Sequence, residues 1–353
     1  MDTPELQVPI RPQVADLPRY VPGRTLPGAA KISSNEMPFP PSHAVVEAAL
    51  AALTDANRYP DLAAAPLRAA LAAHIGVGQD QICVGTGSSA ILLAALGAVC
   101  APGETVVHPW RSFESYPIAV PASHAIPRPV PLLADGTHDL EGMLEAACRG
   151  ARAVILCTPN NPTGPALTFT QVADFVAEVP ADVLVLLDEA YIEFATAPDV
   201  RTGVPLVAEH PNVLVMRTFS KAYALAGLRV GYAVGHADLI SAIGAVLVPF
   251  GVSSVAQAAA VAALVDQQGM SAAVAAVVAE RDRVVGELRE LGLAVPDSQS
   301  NFYWLPGLGR DFVRACAEVG LVVRPFPEGV RVSVGTPEHN NSLIEVARTF
   351  IAR

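Results

Sequence analysis

The sequence predicts an α/β fold in which helices cover both faces of a large, mostly parallel sheet and a smaller α+β domain follows. Short apolar runs alternate with Ala-rich helical stretches from about residue 44 to residue 270. The runs are continuously apolar, as expected for parallel strands that are buried on both faces. After residue 270 the pattern changes to long helices and a few short strands, which favours a separate α+β unit.

The predicted strands of the large sheet each end in a turn or a polar loop. They are ICV (82–84), TVVH (105–108), AVILCTP (153–159), VLVLLDEAY (183–191), NVLVMRTFSK (212–221) and LRVGYAV (228–234). In open parallel sheets, ligands bind beyond the carboxyl ends of the strands. We therefore expect the polar residues that follow these runs to meet at one edge of the sheet.

The remaining segments define the predicted domains. The sequence predicts a helix over 271–291, another at about 310–319, and a last helix with Thr336 as N-cap, Pro337 at its first position and Glu338 in its first turn. The predicted division is an irregular, Pro-rich arm over 1–43 that packs with the small domain, a large domain over 44–250 and a small domain over 251–353.

Composition and charge exclude several classes of function. The 353 residues carry a net charge of −11, which argues against nucleic acid or an anionic membrane as the main partner. No apolar run approaches the roughly 18 residues needed to cross a bilayer, and the start MDTPELQVPI does not resemble a signal peptide. The five cysteines form no CxxC pair, so we expect reduced, mostly buried thiols in a cytoplasmic protein and no metal site.

Lys221, at the end of a predicted strand, is unusual because Lys31 is the only other lysine in a chain rich in arginine. A lysine amine can lose its proton and attack a carbonyl carbon, whereas a guanidinium stays charged. Chance retention of a lysine would explain the observation equally well, so the residue is informative only together with its neighbours.

Other strand ends offer complementary groups. GTGSSA (85–90) opens a helix with unpaired N–H groups and two hydroxyls, which suits a phosphate, although an ordinary turn has the same pattern. Ala90 stands where a dinucleotide fingerprint has its third glycine, which disfavours a dinucleotide-dependent oxidoreductase. Asp188 ends an apolar strand and needs a partner, either a cationic ligand nitrogen or a helix cap or salt bridge.

The combination is more specific than its parts. Pyridoxal phosphate requires a lysine for its Schiff base, a carboxylate on the pyridine nitrogen, a donor to the ring hydroxyl, an aromatic ring against its own ring and a phosphate cup. The chain supplies all of these groups at successive strand ends, so the sequence predicts a pyridoxal-phosphate site.

The motifs TPNNPTG (158–164), LLDEAY (186–191) and TFSKAYALAGLRVGY (218–232) resemble those of fold-type I pyridoxal-phosphate aminotransferases. The resemblance extends from about residue 16 to the C-terminus. Further motifs narrow it to the histidinol-phosphate aminotransferase family; they are SSNE (33–36), NRYPD (57–61), SQSNFYWLP (298–306) and VRVSVGT (330–336). YVPGR (20–24) and PWRSFESYPI (109–118) are most similar to the actinobacterial aromatic amino acid aminotransferase branch.

This resemblance implies a role for each matching residue. Lys221 would form the Schiff base and move protons, Asp188 would pair with the pyridinium nitrogen, and Asn161 and Tyr191 would bond the ring oxygen. Phe113 would stack on the ring. The phosphate would be held by Ser88, Ser89, Thr218, Ser220, Arg229 and, from a second subunit, Tyr59. Arg331 would bind the substrate α-carboxylate with Asn35 and Asn301, and Arg324 and Tyr20 would line the side-chain pocket.

The resemblance implies a cytoplasmic homodimer with shared active sites, which transfers the amino group of phenylalanine, tyrosine or tryptophan to 2-oxoglutarate. Histidinol phosphate is the alternative donor, and Arg324 and Arg111 suit either donor. Other readings are a catalytically silent pyridoxal-phosphate sensor and a decarboxylase or lyase. The sensor is disfavoured because no DNA-binding segment is evident and Arg331 is present to bind a substrate. The decarboxylase or lyase is disfavoured because a carboxylate clamp favours retention of the carboxyl group.

Overall fold

The computed structural model describes residues 7–19 and 26–352, and within them it confirms the predicted α/β fold. The strands are β1 (Ala30–Lys31), β2 (Ile82–Gly85), β3 (Thr105–Trp110), β4 (Ile126–Pro131), β5 (Ala151–Cys157), β6 (Leu184–Asp188), β7 (Val213–Thr218), β8 (Gly231–Gly235), β9 (Phe302–Pro306), β10 (Leu321–Val322), β11 (Arg324–Phe326) and β12 (Gly329–Ser333).

The helices alternate with the strands in the first two thirds of the chain. They are α1 (Pro12–Ala15), α2 (His43–Leu53), α3 (Ala65–Ile75), α4 (Ser88–Val99), α5 (Tyr116–Ala122), α6 (Leu140–Cys148), α7 (Phe169–Glu178), α8 (Ala237–Val246), α9 (Ser254–Val265), α10 (Gln267–Glu290), α11 (Arg310–Glu318) and α12 (Pro337–Ile351). Short 3₁₀ helices lie at Gln79–Gln81, Ile192–Phe194, Val204–Ala208 and Ala226–Leu228.

The large sheet has the strand order β2-β8-β7-β6-β5-β3-β4. Its neighbours are parallel except at β8, which runs antiparallel to both β2 and β7. Alternate residues of the central strand β6 enter different cores, with Val185 and Leu187 on one face and Leu184 and Leu186 on the other. Because both faces are covered by helices, the strand is apolar at every position up to Asp188.

Strand β4 was not predicted, because its sequence IPRPVP has a proline at every second position. The strand lies at the edge of the sheet, parallel to β3. Ile126 N donates to Glu104 O at 2.8 Å, and Leu132 N donates to Trp110 O at 3.0 Å. Successive N–H groups of a strand point to opposite sides, so the prolines remove only the donors that face away from the sheet.

The C-terminal third forms a smaller α+β unit around the antiparallel sheet β11-β12-β9. The arm strand β1 pairs in parallel with β10. Thr336 caps α12 by accepting from His339 N, with proline at the first helical position and Glu338 in the first turn, as predicted. The exact division into an arm over 1–43 and domains over 44–250 and 251–353 stays a prediction.

Within the described ranges, no single helix has the length and apolarity to cross a membrane; α9 and α10, which meet at an 81° bend, pass that test only when taken together. All five cysteines are free thiols. Cys83, Cys157 and Cys316 are buried as expected, whereas Cys148 is exposed and Cys100 is half-buried.

Candidate active site

A cavity of about 380 Å³ lies at the carboxyl ends of β5, β6 and β7 and reaches the N-terminus of α4. Its walls contain most of the residues that the sequence predicted for the site. They are Ser88, Ser89, Phe113, Asn161, Asp188, Tyr191, Thr218, Ser220, Lys221 and Arg229. The strand ends therefore bring these side chains together in the manner expected for a parallel sheet.

Lys221 follows β7 and extends its amine into this cavity. The Nζ atom donates to the carbonyl oxygens of Ser34 and Asn35, both at 3.1 Å. Desolvation lowers the pKa of the Lys221 amine to about 7, with a further contribution from the positive charge of Arg331. The amine is therefore neutral part of the time near pH 7, which is the state that a nucleophile or a base requires.

Asp188 closes β6 and is only 5% exposed. Its Oδ2 accepts a hydrogen bond from the Tyr116 hydroxyl at 2.8 Å, while its Oδ1 has no partner among the described residues. Burial raises the pKa of this carboxyl, and the Tyr116 hydrogen bond opposes that effect. A buried carboxylate oxygen that lines a cavity and lacks a partner fits a cationic or N–H donor of a ligand.

One end of the cavity is a cradle for an anion. The Thr218 hydroxyl donates to Ser220 Oγ at 2.9 Å, and Arg229 Nη1 donates to the same oxygen at 3.2 Å. The Arg229 guanidinium lies against Gly87, where a Cβ atom would approach Nη2 to 2.7 Å. Gly87 has φ +81° and directly precedes α4, whose first N–H groups have no partners within the helix.

Phe113 lies on the cavity wall and packs edge-on against Tyr116, with 5.7 Å between the ring centroids. Tyr116 is a site residue that the motifs do not reveal by themselves. The signal that points to it is its spacing of three residues from Phe113 at the start of α5, since such neighbours lie on the same side of a helical turn. Ser34, Glu36, Ser115 and Cys157 line the cavity without having been predicted.

The loop 33–36 and strand β12 meet above the lysine. Asn35 Nδ2 donates to the Tyr191 hydroxyl at 3.0 Å, and Asn301 Nδ2 donates to Asn35 O at 3.1 Å. Arg331 Nη2 donates to Ser33 O at 2.7 Å, and its Nη1 donates to Asn161 Oδ1. The predicted substrate residues Asn35, Asn301 and Arg331 therefore lie beside the predicted cofactor residues Asn161 and Tyr191.

Arg324 lies opposite Arg331 in the register of β11 and β12, and forms an ion pair with Glu114, with 2.6 Å between Nη2 and Oε2. Arg111 forms a second ion pair, with Glu328, through contacts of 3.1 Å and 2.6 Å. Its guanidinium carbon lies 4.2 Å from the centroid of Trp110. Both cations that the sequence analysis offered for an anionic substrate thus already face a carboxylate.

Of the predicted residues that the structure describes, Tyr59 lies apart from the others. Tyr59 is 84% exposed, and its ring packs on Phe250 with 4.9 Å between centroids. Its assignment required a second subunit, so that role stays a prediction. Tyr20 lies outside the described residues.

Comparison with known proteins places this geometry in context. Residues 29–346 match the family model described as aminotransferase class I and II. The chain is 47% identical over 336 residues to an aromatic amino acid aminotransferase of Corynebacterium glutamicum (strain R), which covers 95% of this chain and 97% of the relative. It is also 47% identical over 352 residues to an aromatic amino acid aminotransferase of Thermobifida fusca, covering 98% of each.

A solved structure is similar as well. The histidinol-phosphate aminotransferase of Sinorhizobium meliloti, in complex with pyridoxal-5'-phosphate, superimposes with a TM-score of 0.88 at 30% identity and covers 97% of both chains.

Proposed function

The chain belongs to the class I and II aminotransferases, and we propose that it uses pyridoxal phosphate to transfer the amino group of an aromatic amino acid to 2-oxoglutarate. One observation supports this best. A lysine with a pKa of about 7, a buried carboxylate oxygen without a partner and an anion cradle line the same 380 Å³ cavity.

The residues fit the cofactor. Asp188 Oδ1 would accept from the pyridinium nitrogen, and Ser88, Ser89, Thr218, Ser220 and Arg229 would hold the phosphate. Lys221 would attach the cofactor, and Phe113 would pack on its ring. Asn161 and Tyr191 would bond the ring oxygen. When bound, pyridoxal phosphate supplies an electron-withdrawing ring that stabilises negative charge on the substrate Cα.

The side chains of the protein perform the proton movements. A neutral Lys221 amine accepts the proton from the substrate Cα, and its low pKa lets it release that proton again near neutral pH, which a transfer of the amino group requires at a different atom. Asp188 would hold its carboxylate against the ring nitrogen, where a negative charge favours the protonated ring. Tyr116 acts through Asp188 by fixing the orientation of its carboxylate.

Arg331 would bind the α-carboxylate of every substrate with its planar fork, supported by Asn35 and Asn301. The fork is positioned by its hydrogen bonds to Asn161 and to Ser33 O. A clamp of this kind favours reactions that retain the carboxyl group, as transamination does.

Two observations favour an aromatic donor over histidinol phosphate. Relatives at 47% identity over nearly the whole chain are named aromatic amino acid aminotransferases. In addition, Arg324 and Arg111 are ion-paired with Glu114 and Glu328, so the charge of both arginines is compensated when the site holds an uncharged ring. Pockets built to pair an anion reject uncharged analogues strongly, whereas a charge-compensated pocket accepts a flat ring.

We also propose a cytoplasmic homodimer in which Tyr59 completes the partner's phosphate site. Its exposed ring adjoins a second cavity of about 780 Å³, whose wall includes Leu62, Val248 and Phe250. Exposed apolar residues around a cavity favour a protein interface. The free cysteines suit a reducing compartment.

The decisive experiment is a single-turnover titration of the cofactor-loaded protein that follows the visible absorption of the cofactor. Phenylalanine and histidinol phosphate are added to separate samples without an oxo acid. We expect efficient bleaching by phenylalanine. Much faster bleaching by histidinol phosphate would reverse the assignment of the donor. A protein that stays colourless after reconstitution with pyridoxal phosphate would overturn the assignment of the cofactor.

A further inference from the structure

The proposed function poses a problem of charge at the side-chain end of the site. The same site must accept an uncharged aromatic ring from the donor and the distal carboxylate of 2-oxoglutarate from the acceptor. A buried cation suits the carboxylate, but an uncompensated cation next to a ring costs desolvation free energy. If the proposed function holds, this charge must be balanced differently in the two half-reactions.

Arg324 is the cation placed to meet the distal carboxylate. It is directly opposite Arg331 in the antiparallel pair β11 and β12, so both side chains lie on the same face of that sheet. The guanidinium carbons of both arginines lie 5.7 Å from the ring centroid of Phe326. A substrate held at Arg331 by its α-carboxylate therefore extends in the neighbourhood of Arg324.

Glu114 belongs to the same site from the opposite side. It lies between Phe113 and Ser115, which both line the cavity. Its Oε2 is 2.6 Å from Arg324 Nη2, across a separation of 210 residues in the chain. The Arg324 side chain is 9% exposed, whereas the Glu114 side chain is 32% exposed.

The difference in exposure makes the pair asymmetric. A carboxylate that is one third exposed can turn into water at low cost, because it is already partly hydrated in the pair. The buried Arg324 guanidinium cannot turn into water in the same way, so it needs a negatively charged partner within the site.

We propose that Glu114 is a specificity-determining residue that acts as an exchangeable internal carboxylate. It neutralises Arg324 while an aromatic side chain occupies the site, and the distal carboxylate of the dicarboxylic substrate displaces it. One arginine then serves both half-reactions, and the exchange makes and breaks no covalent bond.

The Arg111–Glu328 pair provides a matched control. It also joins distant segments of the chain, and its shortest contact is 2.6 Å as well. Arg111 and Glu328 line a neighbouring cleft with Trp110, whereas Glu114 is flanked in sequence by two residues of the site cavity. Removal of the Glu328 charge tests what the loss of an ion pair does by itself.

The experiment compares E114Q and E328Q with the wild-type, cofactor-loaded protein. Equilibrium dissociation constants are measured for two non-reactive acids, glutarate and 3-phenylpropionate, by calorimetry and by the change in cofactor absorbance. In E114Q we expect glutarate to bind about fivefold more tightly and 3-phenylpropionate about fivefold more weakly, as for the loss of one charge pair. In E328Q the ratio of the two constants stays within about twofold of wild type.

If E114Q binds both acids more weakly by the same factor, or leaves the ratio of their dissociation constants unchanged, the proposal is overturned. The Glu114–Arg324 pair would then be only a structural link. E114D keeps the charge on a shorter side chain and is expected to give an intermediate ratio; it replaces E114Q if that variant does not fold. Wild-type turnover of phenylalanine with 2-oxoglutarate separates this failure from failure of the proposed function, since the proposed function requires that turnover whether or not Glu114 is exchanged.

Discussion

The two ends of the active site are built in different ways. The cofactor end, defined by Ser88, Asp188, Thr218, Lys221 and Arg229, consists of residues at the ends of strands or the start of a helix in one sheet. The substrate end, defined by the loop 33–36, Glu114, Asn301, Arg324 and Arg331, joins segments that are up to 298 residues apart.

This difference has a chemical counterpart. The groups of the cofactor end meet the same cofactor in both half-reactions, so they can be fixed by a rigid sheet. The groups of the substrate end meet side chains of different charge, so their own charges must be compensated by partners. We therefore expect changes at the cofactor end to affect all substrates alike, and changes around Arg324 to affect them unequally.

The largest effect is expected for Lys221→Ala. Loss of both the attachment point and the base should lower turnover at least about thousandfold for every amino donor, with the cofactor still weakly bound. Single-turnover absorbance with phenylalanine and with glutamate measures this. Lys31→Arg is the matched control, because it replaces the other lysine but keeps a positive charge beside Glu36, which lines the cavity. Near-normal turnover in Lys221→Ala would refute the proposed mechanism.

Arg331→Lys is expected to have the next largest effect. A lysine keeps the charge but loses the planar fork, so kcat/KM should fall about a hundredfold, and equally for phenylalanine and glutamate. Steady-state kinetics with both donors measure the fall. A loss confined to one donor would mean that Arg331 does not bind the shared α-carboxylate.

The rate of cofactor uptake is expected to change about tenfold per pH unit on the acid side of its pH profile. Because the pKa of Lys221 is lowered to about 7, its amine is neutral above that pH and protonated below it. The rate at which apoprotein gains visible absorbance with pyridoxal phosphate should therefore rise up to about pH 7 and then level off. A model lysine peptide, run in parallel to correct for titration of the cofactor, should still be rising at pH 9. A protein profile equal to the peptide profile would contradict the lowered pKa.

The smallest effect is expected for Tyr116→Phe. The hydrogen bond from Tyr116 lowers the pKa of Asp188, so its removal raises that pKa and moves the acid limb of the kcat profile to higher pH. Turnover at pH 8 should fall only a few-fold, as for the loss of one hydrogen bond to a charged group. A merely structural role would lower turnover without moving the profile.

The fold was largely predictable because burial on both faces makes each central strand a continuous apolar run. Strand β4 was the exception, since three prolines in six residues are incompatible with a central strand and are tolerated here only because β4 lies at the sheet edge. The expectation of mostly buried cysteines holds for Cys83, Cys157 and Cys316, whereas Cys148, at the end of helix α6, is exposed.

The cofactor end could be located from sequence because its polar residues directly follow apolar strands. The Tyr116–Asp188 hydrogen bond and the Glu114–Arg324 ion pair could not, because their partners are 72 and 210 residues apart. Such contacts depend on how distant segments pack, and local patterns do not encode them. The assignment of Tyr59 depends on a second subunit, which no pattern within one chain can position.

The alternating prolines of β4 also determine how the molecule behaves among copies of itself. The outer side of this strand presents carbonyl oxygens at Pro127, Pro129 and Pro131 but no N–H groups. Two such edges cannot pair by hydrogen bonds, because neither has backbone N–H groups to donate to the other. An incoming strand could be held only by its own N–H donors. This margin of a large, apolar sheet is thereby protected from strand addition and fibrillar aggregation, without any charged residue being needed for that purpose.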